Sequence, residues 1–394
     1  MVSVVYLTRI NFFSDKAHVH TIAKTCEALS GISDITLTFV STDNSLAHTK
    51  EKNSFFTLHE VSKSFNIVSL NSFSNLYKNS TSFFIYNLGT LFANFSLIKY
   101  VWENRKHIEV VYFRDHLILP VIFFAKYILH KKVVYESHYV LTKKFGQWLT
   151  EKSVCISDGV VAITIALREY YFRFNKNSIV SFCASSDKER FITVNPNTYY
   201  QEKLGLPLGR FYLVYTGNID VTGNGDSYGV EDVVKSLPLM SGDVCFVAVG
   251  KKNNGLHPLE ILATSLGVSN KLICIPWVSR EKAIEYILSS DVLIIPKSGG
   301  KVGNSPTKMF EYLGARRPIV AANTTPMKEV LQDGINALLV DYSHPQAWSD
   351  AIKDIRSKPD LVIEMVNNAY KDADMYTWEK RGSDISEFIK KIYA

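Results

Sequence analysis

The chain has 394 residues, 46% hydrophobic and 21% charged. That is enough for two or three domains of ~150 residues, each with its own core, and it excludes a disordered, collagen-like or coiled-coil protein. Lys and Arg number 44 against 38 Asp and Glu, a formal charge of +6. This suits anionic small molecules or an anionic membrane surface and is too slight to argue for nucleic acid. The five cysteines, Cys26, Cys155, Cys183, Cys245 and Cys274, are scattered, odd in number and never spaced C-x-x-C. They argue against a disulfide framework or zinc ribbon and for reduced thiols in a cytosolic compartment. The opening MVSVVYLTRINFF has no basic stretch followed by a long apolar run, so no signal peptide is expected. Residues 82–102 are interrupted by Asn87, Asn94 and Lys99, and residues 117–129 by Pro120 and Lys126. Neither fits a spanning helix of about 20 apolar residues. Both read as buried helices, with a membrane-touching face as the alternative.

Short β-branched runs alternate with amphipathic helical runs. Strands are predicted at Val2–Thr8, Ile35–Val40, Val110–Arg114, Lys132–Ser137 and Val160–Thr164, and helices at Ala17–Leu29 and around Leu117–Leu129. The pattern blurs between Asn175 and Asn197 and restarts more cleanly. Strands follow at Phe211–Thr216, Val244–Val249, Lys271–Ile275, Val292–Pro296 and Pro318–Ala321. Helices follow at Val230–Leu237, Pro258–Leu266, Lys282–Leu288 and Pro306–Leu313. Apolar runs without alternation belong to strands buried on both faces of a parallel sheet. Repeated βα units imply doubly wound sheets. The expected architecture is α/β, two Rossmann-like domains facing across a cleft, joined through the turn-rich stretch Thr193–Gly209. In such sheets a ligand sits beyond the carboxyl ends of the strands.

The sharpest segment is DVLIIPKSGGKVGNSPTKMFEYLGARRPI, residues 291–319. A buried strand leads into a glycine-rich loop, Ser305 stands where an N-cap belongs, and Pro306 at the first helical position. The N–H groups of Thr307 and Lys308 are then first-turn donors at the positive end of a helix dipole, a site suited to phosphate. The residues read as binding from this segment are Gly303, Asn304, Ser305, Thr307, Lys308 and Glu311. Lys301 could add charge, and Glu311, a turn further on, could accept from vicinal hydroxyls. Two more loops leave neighbouring strands: GNIDVTGNGDSYG, with Gly217 and Asn218, and GKKNNG, with Lys251 and Lys252. IPWVSR offers Trp277 as an apolar or stacking wall for a base, or as an ordinary core residue. In the first half, Glu136 and His138 of VVYESH share a strand face. His138 either donates to a hydroxyl or shields developing charge, or is a satisfied structural group. Ser14, Asp15 and Lys16 follow the first strand, and Arg114 with Asp115 either meet an acceptor or form a local ion pair. No nucleophile elbow, Walker phosphate loop, dinucleotide fingerprint or metal-ligand spacing appears in the sequence.

These segments resemble glycosyltransferase family 4, retaining sugar-nucleotide-dependent enzymes of the GT-B fold. SPTKMFEYLGARRPIVAAN is similar to that family's SP-x-K-x-FEY signature, and TPMKEVLQDGINALLV to the segment after it. YTGNI, YGVEDVV and FVAVG resemble the start of its donor domain. AHVHTIAKTCEAL, VYFRD, VVYESH and DGVVAITIALREYY resemble its acceptor domain, and YTWEKRGSDI its C-terminal helix, which crosses back to the first domain. The resemblance implies an acceptor-side domain at residues 1–200, a donor domain at 201–375 and a crossing helix at 376–394. It implies catalytic roles for His138 and Glu311, with Glu311 on the donor ribose, the turn at Thr307–Lys308 on the diphosphate and residues 276–278 on the base. The acceptor would be a glycan or lipid-linked glycan. Transfer would proceed with retention and without metal or cofactor. The chain would be cytoplasmic, with peripheral contact through its first domain at the inner face of a membrane. Gly303 replaces the first of the family's two spaced glutamates, and Asn218 and Tyr228 stand where its diphosphate-binding Arg and Lys belong. These departures leave two alternatives: a GT-B nucleotide-sugar epimerase, or a catalytically weak nucleotide-sugar-binding protein.

Overall fold

The structure is a computed structural model that describes residues 1–14, 17–43, 52–63, 65–70, 83–141, 143–219, 228–251, 257–297 and 306–394. Of the candidate residues, Asp15, Lys16, Lys252, Lys301, Gly303, Asn304 and Ser305 lie outside them. The chain folds as two units, residues 1–183 with 378–394 and residues 184–377.

In the first unit seven strands form one parallel sheet: β1 (Val2–Thr8), β2 (Ile35–Ser41), β3 (Asn66–Ser69), β4 (Val110–Phe113), β5 (Lys132–Ser137), β6 (Gly159–Ala162) and β7 (Ser178–Val180), in the order β3-β2-β1-β4-β5-β6-β7. Val4 and Tyr6 of β1 enter one core with Cys26 and Leu29, while Val5 and Leu7 enter another with Leu97 and Val101. Burial on both faces is why β1 is apolar without alternation. The closing helix, Trp378–Tyr393, belongs to this unit and brings Phe388, Ile389 and Ile392 into the first of these cores. It packs so closely on β6 that a Cβ at Gly159 would lie 2.3 Å from Ile392 Cδ1. Its acidic first turn and basic last turn complement the helix dipole.

The second unit carries six parallel strands: β8 (Phe211–Thr216), β9 (Val244–Lys251), β10 (Leu272–Pro276), β11 (Val292–Ile295), β12 (Ile319–Ala322) and β13 (Leu338–Val340), in the order β10-β9-β8-β11-β12-β13. Its strand order reverses between β8 and β11, as that of the first sheet does between β1 and β4.

Three expectations are corrected. The units divide at Cys183/Ala184 rather than near residue 200, because residues 186 and 187 are bonded within the second unit. Ser186 donates its N–H to the Tyr376 carbonyl and its hydroxyl to that of Ala373, and Asp187 pairs with Arg280. Residues 117–129 are not one helix. A 3-10 turn (His116–Ile118) capped by Asp115 leads into a short α-helix (Leu119–Phe123) with Pro120 in its first turn, then a π-turn (Phe124–Ile128). Finally, the helix Phe83–Glu103 is buried on one side only, leaving Leu91, Phe95 and Trp102 exposed.

Candidate functional site

At the reversal point of the second sheet, two strand ends meet two helix starts. The chain leaves β8 through Gly217, whose φ of 142° favours glycine; a Cβ there would lie 2.7 Å from Lys308 Nζ. It leaves β11 through Lys297, whose backbone N would lie 2.9 Å from a Cβ at Gly229 (φ 73°), the residue that opens the helix Val230–Ser236. Thr216 donates its N–H to the Tyr312 hydroxyl at 2.9 Å, fastening β8 to the helix Thr307–Gly314. Pro306 is the N-cap of that helix, and Thr307 its first residue. In the first turn the Met309 N–H donates to the Pro306 carbonyl at 3.1 Å, and the N–H groups of Thr307 and Lys308 precede it, at the positive end of the helix dipole.

Lys308 is half-buried. It donates to the Tyr215 hydroxyl at 2.9 Å, lies 4.3 Å from the centroid of that ring and 6.0 Å from that of Tyr228. Burial lowers its pKa to about 8, against the opposing pull of Tyr228 and Glu311. An ammonium held by phenols is short of negative charge, and an incoming anion would supply it.

The structure treats the other donor-side candidates unequally. Lys251 is 8% exposed and its Nζ lies 3.0 Å from Glu260, within the capping box that starts the helix Pro258–Ser265. Its charge is thus answered inside the protein by Glu260. Trp277 is 61% exposed, which removes the core reading; its N–H bonds the Lys251 carbonyl, and Val278 beside it is half-buried. The Asn218 carbonyl accepts from the Tyr215 hydroxyl at 3.0 Å. Thr307 is exposed. Glu311 is not simply open to a ligand: Arg280 Nη2 lies 3.2 Å from its Oε1 and 2.6 Å from Asp187 Oδ2. Burial raises the pKa of Glu311, Arg280 opposes this, and Asp187 adds to it. One guanidinium thus orients two carboxylates, leaving the second oxygen of Glu311 for another donor.

In the first unit the Glu136 carboxylate is buried and bonded to His138 Nε2 and the Tyr112 hydroxyl. Arg381 Nη2 stands 2.8 Å from its Oε2, and Arg381 also donates to the Thr25 hydroxyl and the Ser181 carbonyl. Burial alone would raise the pKa of Glu136, but Arg381 and His138 hold it well below the usual carboxylate range. Burial pushes His138 down to about 4, assisted by Arg114 and opposed by Glu136. Near pH 7 the imidazole is therefore neutral. Its Nε2 faces a carboxylate and must carry the proton, which leaves Nδ1 as an acceptor. Asp115 is engaged by Arg9, whose Nε and Nη2 lie 2.5 and 3.2 Å from its two oxygens, and it also caps Leu117. Arg114 and Asp115 therefore do not pair with each other. A buried Arg114 Nη1 has no hydrogen-bond partner among the described residues. Ser14 donates its N–H to the Asn11 carbonyl.

Arg381, Arg280 and Asp187 escaped the sequence reading. Arg381 and Arg280 look like solvated helix residues in sequence, and only the fold turns them onto Glu136 and Glu311. Asp187 adopts φ 41° in the stretch where the pattern blurs. Among the described residues no group of three or more His, Cys, Asp or Glu is placed to hold a metal ion, and no described helix is long and apolar enough to cross a membrane.

Residues 199–372 match the family described as Glycosyl transferases group 1. Curated relatives include D-inositol 3-phosphate glycosyltransferases. That of Xylanimonas cellulosilytica is 26% identical over 158 residues, 39% of this chain and 36% of that protein. That of Nocardioides sp. is 26% identical over 204 residues, 49% of this chain and 44% of that protein. The chain thus spans less than half the length of these relatives. Among solved structures, sucrose-phosphate synthase from Thermosynechococcus elongatus aligns at TM-score 0.75 and 13% identity over 100% of this chain and 99% of its own. Anabaena Alr3699/HepE in complex with UDP and glucose aligns at 0.73 and 14%, over 99% and 100%. The likeness to these structures shows a shared fold, GT-B.

Proposed function

We propose that this chain, a GT-B protein with a group 1 glycosyl transferase domain at residues 199–372, moves a sugar from a nucleoside diphosphate sugar to a hydroxyl of a glycan or lipid-linked glycan. The observation that carries the reading is Lys308: an ammonium held by phenols, next to a glycine, at a helix start and at the reversal point of a parallel sheet. That is where an α/β sheet takes its ligand, and a diphosphate supplies the missing charge. The UDP complex of the Anabaena neighbour is consistent with such a ligand.

In this reading the diphosphate lies on the first turn of the helix Thr307–Gly314, Glu311 accepts from the ribose hydroxyls, and Trp277 and Val278 flank the base. The sugar C1–phosphate oxygen bond breaks and a C1–acceptor oxygen bond forms on the same face. The acceptor proton passes to the departing diphosphate. Catalysis consists of positioning and of stabilising the leaving charge, and draws on no metal or cofactor. The bare Nδ1 of His138 accepts from a sugar hydroxyl.

The test is calorimetric titration and product analysis with a panel of sugar nucleotides, on the full chain and on Glu311→Ala. Binding with transfer or hydrolysis supports the reading. Loss of one charged hydrogen bond should weaken binding by roughly 1.5–3 kcal/mol; an unchanged dissociation constant removes Glu311 from the site. Interconversion of the donor sugar would instead make the protein an epimerase, and binding without turnover a binding protein.

A further inference from the structure

Glu311 shares its cation with a second carboxylate. Arg280 Nη2 lies 3.2 Å from Glu311 Oε1 and 2.6 Å from Asp187 Oδ2, so the shorter contact is the one to Asp187. A guanidinium facing a single carboxylate frequently takes both of its oxygens in a fork. Here Arg280 reaches one Glu311 oxygen, and among the described residues the Glu311 side chain has no further ion pair.

Asp187 is fixed at this place by the fold. Its backbone lies in the left-handed region, φ 41° and ψ 44°, which favours glycine and which aspartate and asparagine also adopt. Such a conformation persists only where its surroundings determine it. The preceding residue, Ser186, donates its N–H to the Tyr376 carbonyl and its hydroxyl to that of Ala373. The Ser186 carbonyl oxygen lies 2.7 Å from where a Cβ of Gly314 would stand, so this segment presses on the end of the helix that carries Glu311. The Tyr376 ring meets Phe310, the residue before Glu311, at 5.0 Å between centroids. The Asp187 N–H donates to the Ser185 hydroxyl at 3.2 Å, and Arg190 Nε makes a looser contact with its carboxylate at 3.7 Å. The distance between the two carboxylates is therefore set by packing, and Arg280 is placed to span it.

We propose that Asp187 is a positioning residue for the nucleotide: by holding Arg280 it prevents a fork on Glu311 and keeps one Glu311 oxygen open to the vicinal hydroxyls of a ribose. The inference rests on the reading of Glu311 as the ribose acceptor and adds the residue that keeps this acceptor available. The surrounding charges agree. Burial raises the pKa of Glu311 and Asp187 adds to it, while Arg280, Lys308 and Arg190 pull it down. Asp187 thus offsets part of the cationic field that would otherwise close on Glu311.

Asp187→Asn in the full chain is the test, because asparagine tolerates the same backbone and carries no charge to hold a guanidinium. Without nucleotide, a carbon NMR titration of carboxyl-labelled glutamates, with Glu311 assigned by its loss in Glu311→Gln, should show the Glu311 pKa falling in Asp187→Asn as Arg280 turns wholly to Glu311. Calorimetry with UDP, ADP, GDP, CDP and TDP should show whichever of them the parent chain binds held about tenfold more weakly by Asp187→Asn, the effect of one charged hydrogen bond. Adding Arg280→Lys to Asp187→Asn should restore most of the binding, since an ammonium is a point charge that cannot fork; a loss caused only by a weakened fold would not recover. An unchanged Glu311 pKa, or weaker binding that Arg280→Lys does not restore, overturns the inference. Weaker binding in Glu311→Ala with intact binding in Asp187→Asn overturns it alone. Binding of none of the five nucleotides, or equal binding by Glu311→Ala and the parent, removes the ribose reading of Glu311 and this inference with it.

Discussion

The two units differ in how they hold charge near the carboxyl ends of their strands, although in both some charges are answered internally, as Lys251 is by Glu260 in the second. In the first, Glu136 meets Arg381, and Asp115 meets Arg9. In the second, Lys308 rests on the Tyr215 hydroxyl and two aromatic rings, and Lys297 lies 5.2 Å from the Tyr342 ring centroid. A buried, internally answered charge sets geometry and is costly to disturb. A cation resting on phenols keeps its attraction for an anion that arrives later. The contrast separates a unit built to stay fixed from one that leaves charge for a ligand.

The most damaging way to break the contrast is to unpair the first unit. Arg381→Ala leaves Glu136 buried without its guanidinium, and a thermal or urea melt should show a loss of about 3–5 kcal/mol. Arg381→Met with Glu136→Gln should recover part of it; no recovery would mean that packing rather than charge holds the helix down. The matching change in the second unit, Lys308→Met, should leave the melt nearly unaltered and lower nucleotide-sugar turnover by about a hundredfold. A large loss of stability with intact turnover would reverse the assignment of the two units.

Acid sharpens the contrast, because in the first unit a buried histidine ring is bonded to a buried carboxylate. The folded pKa of His138, about 4, lies below its ordinary 6.5, so between these values the unfolded chain binds the extra proton. Stability should be full above about pH 6.5 and fall by about 3 kcal/mol toward pH 4. Glu136, also held below its unfolded value, extends the loss to lower pH in the same direction. In His138→Gln the slope from 6.5 to 4 should flatten while the lower part persists; an unaltered slope in denaturant melts across pH would move the effect to another group. The smallest expected change is at Trp277. Its exposed ring should contribute about 1 kcal/mol to nucleotide binding by stacking and nothing to folding, which calorimetry and melting on Trp277→Ala would check.

Much of the fold was legible because parallel strands buried on two faces need uninterrupted apolar runs. FYLVYT and VVYES announced β8 and β5 in this way. Short edge strands such as β3 and β7 lack that signature, since less of their surface is covered. The donor-side loop was legible through glycine, proline and helix-start chemistry, all local in sequence. The pairing of Lys251 was not legible, because a lysine at a strand end looks alike whether it meets a ligand or Glu260, nine residues on.

Local sequence determined the alternation of strands and helices, the start of the helix at Thr307 within one residue, and the pairing of Glu136 with His138 on one strand face. Each follows from backbone geometry over a few residues. Only the tertiary structure decided that Arg381 would reach Glu136 from 245 positions away, that Arg280 would bridge Asp187 and Glu311, and that one apolar stripe of the helix Phe83–Glu103 would be left outside. Long-range electrostatics and the allocation of surface depend on which elements the whole chain packs together, and no local pattern encodes that choice.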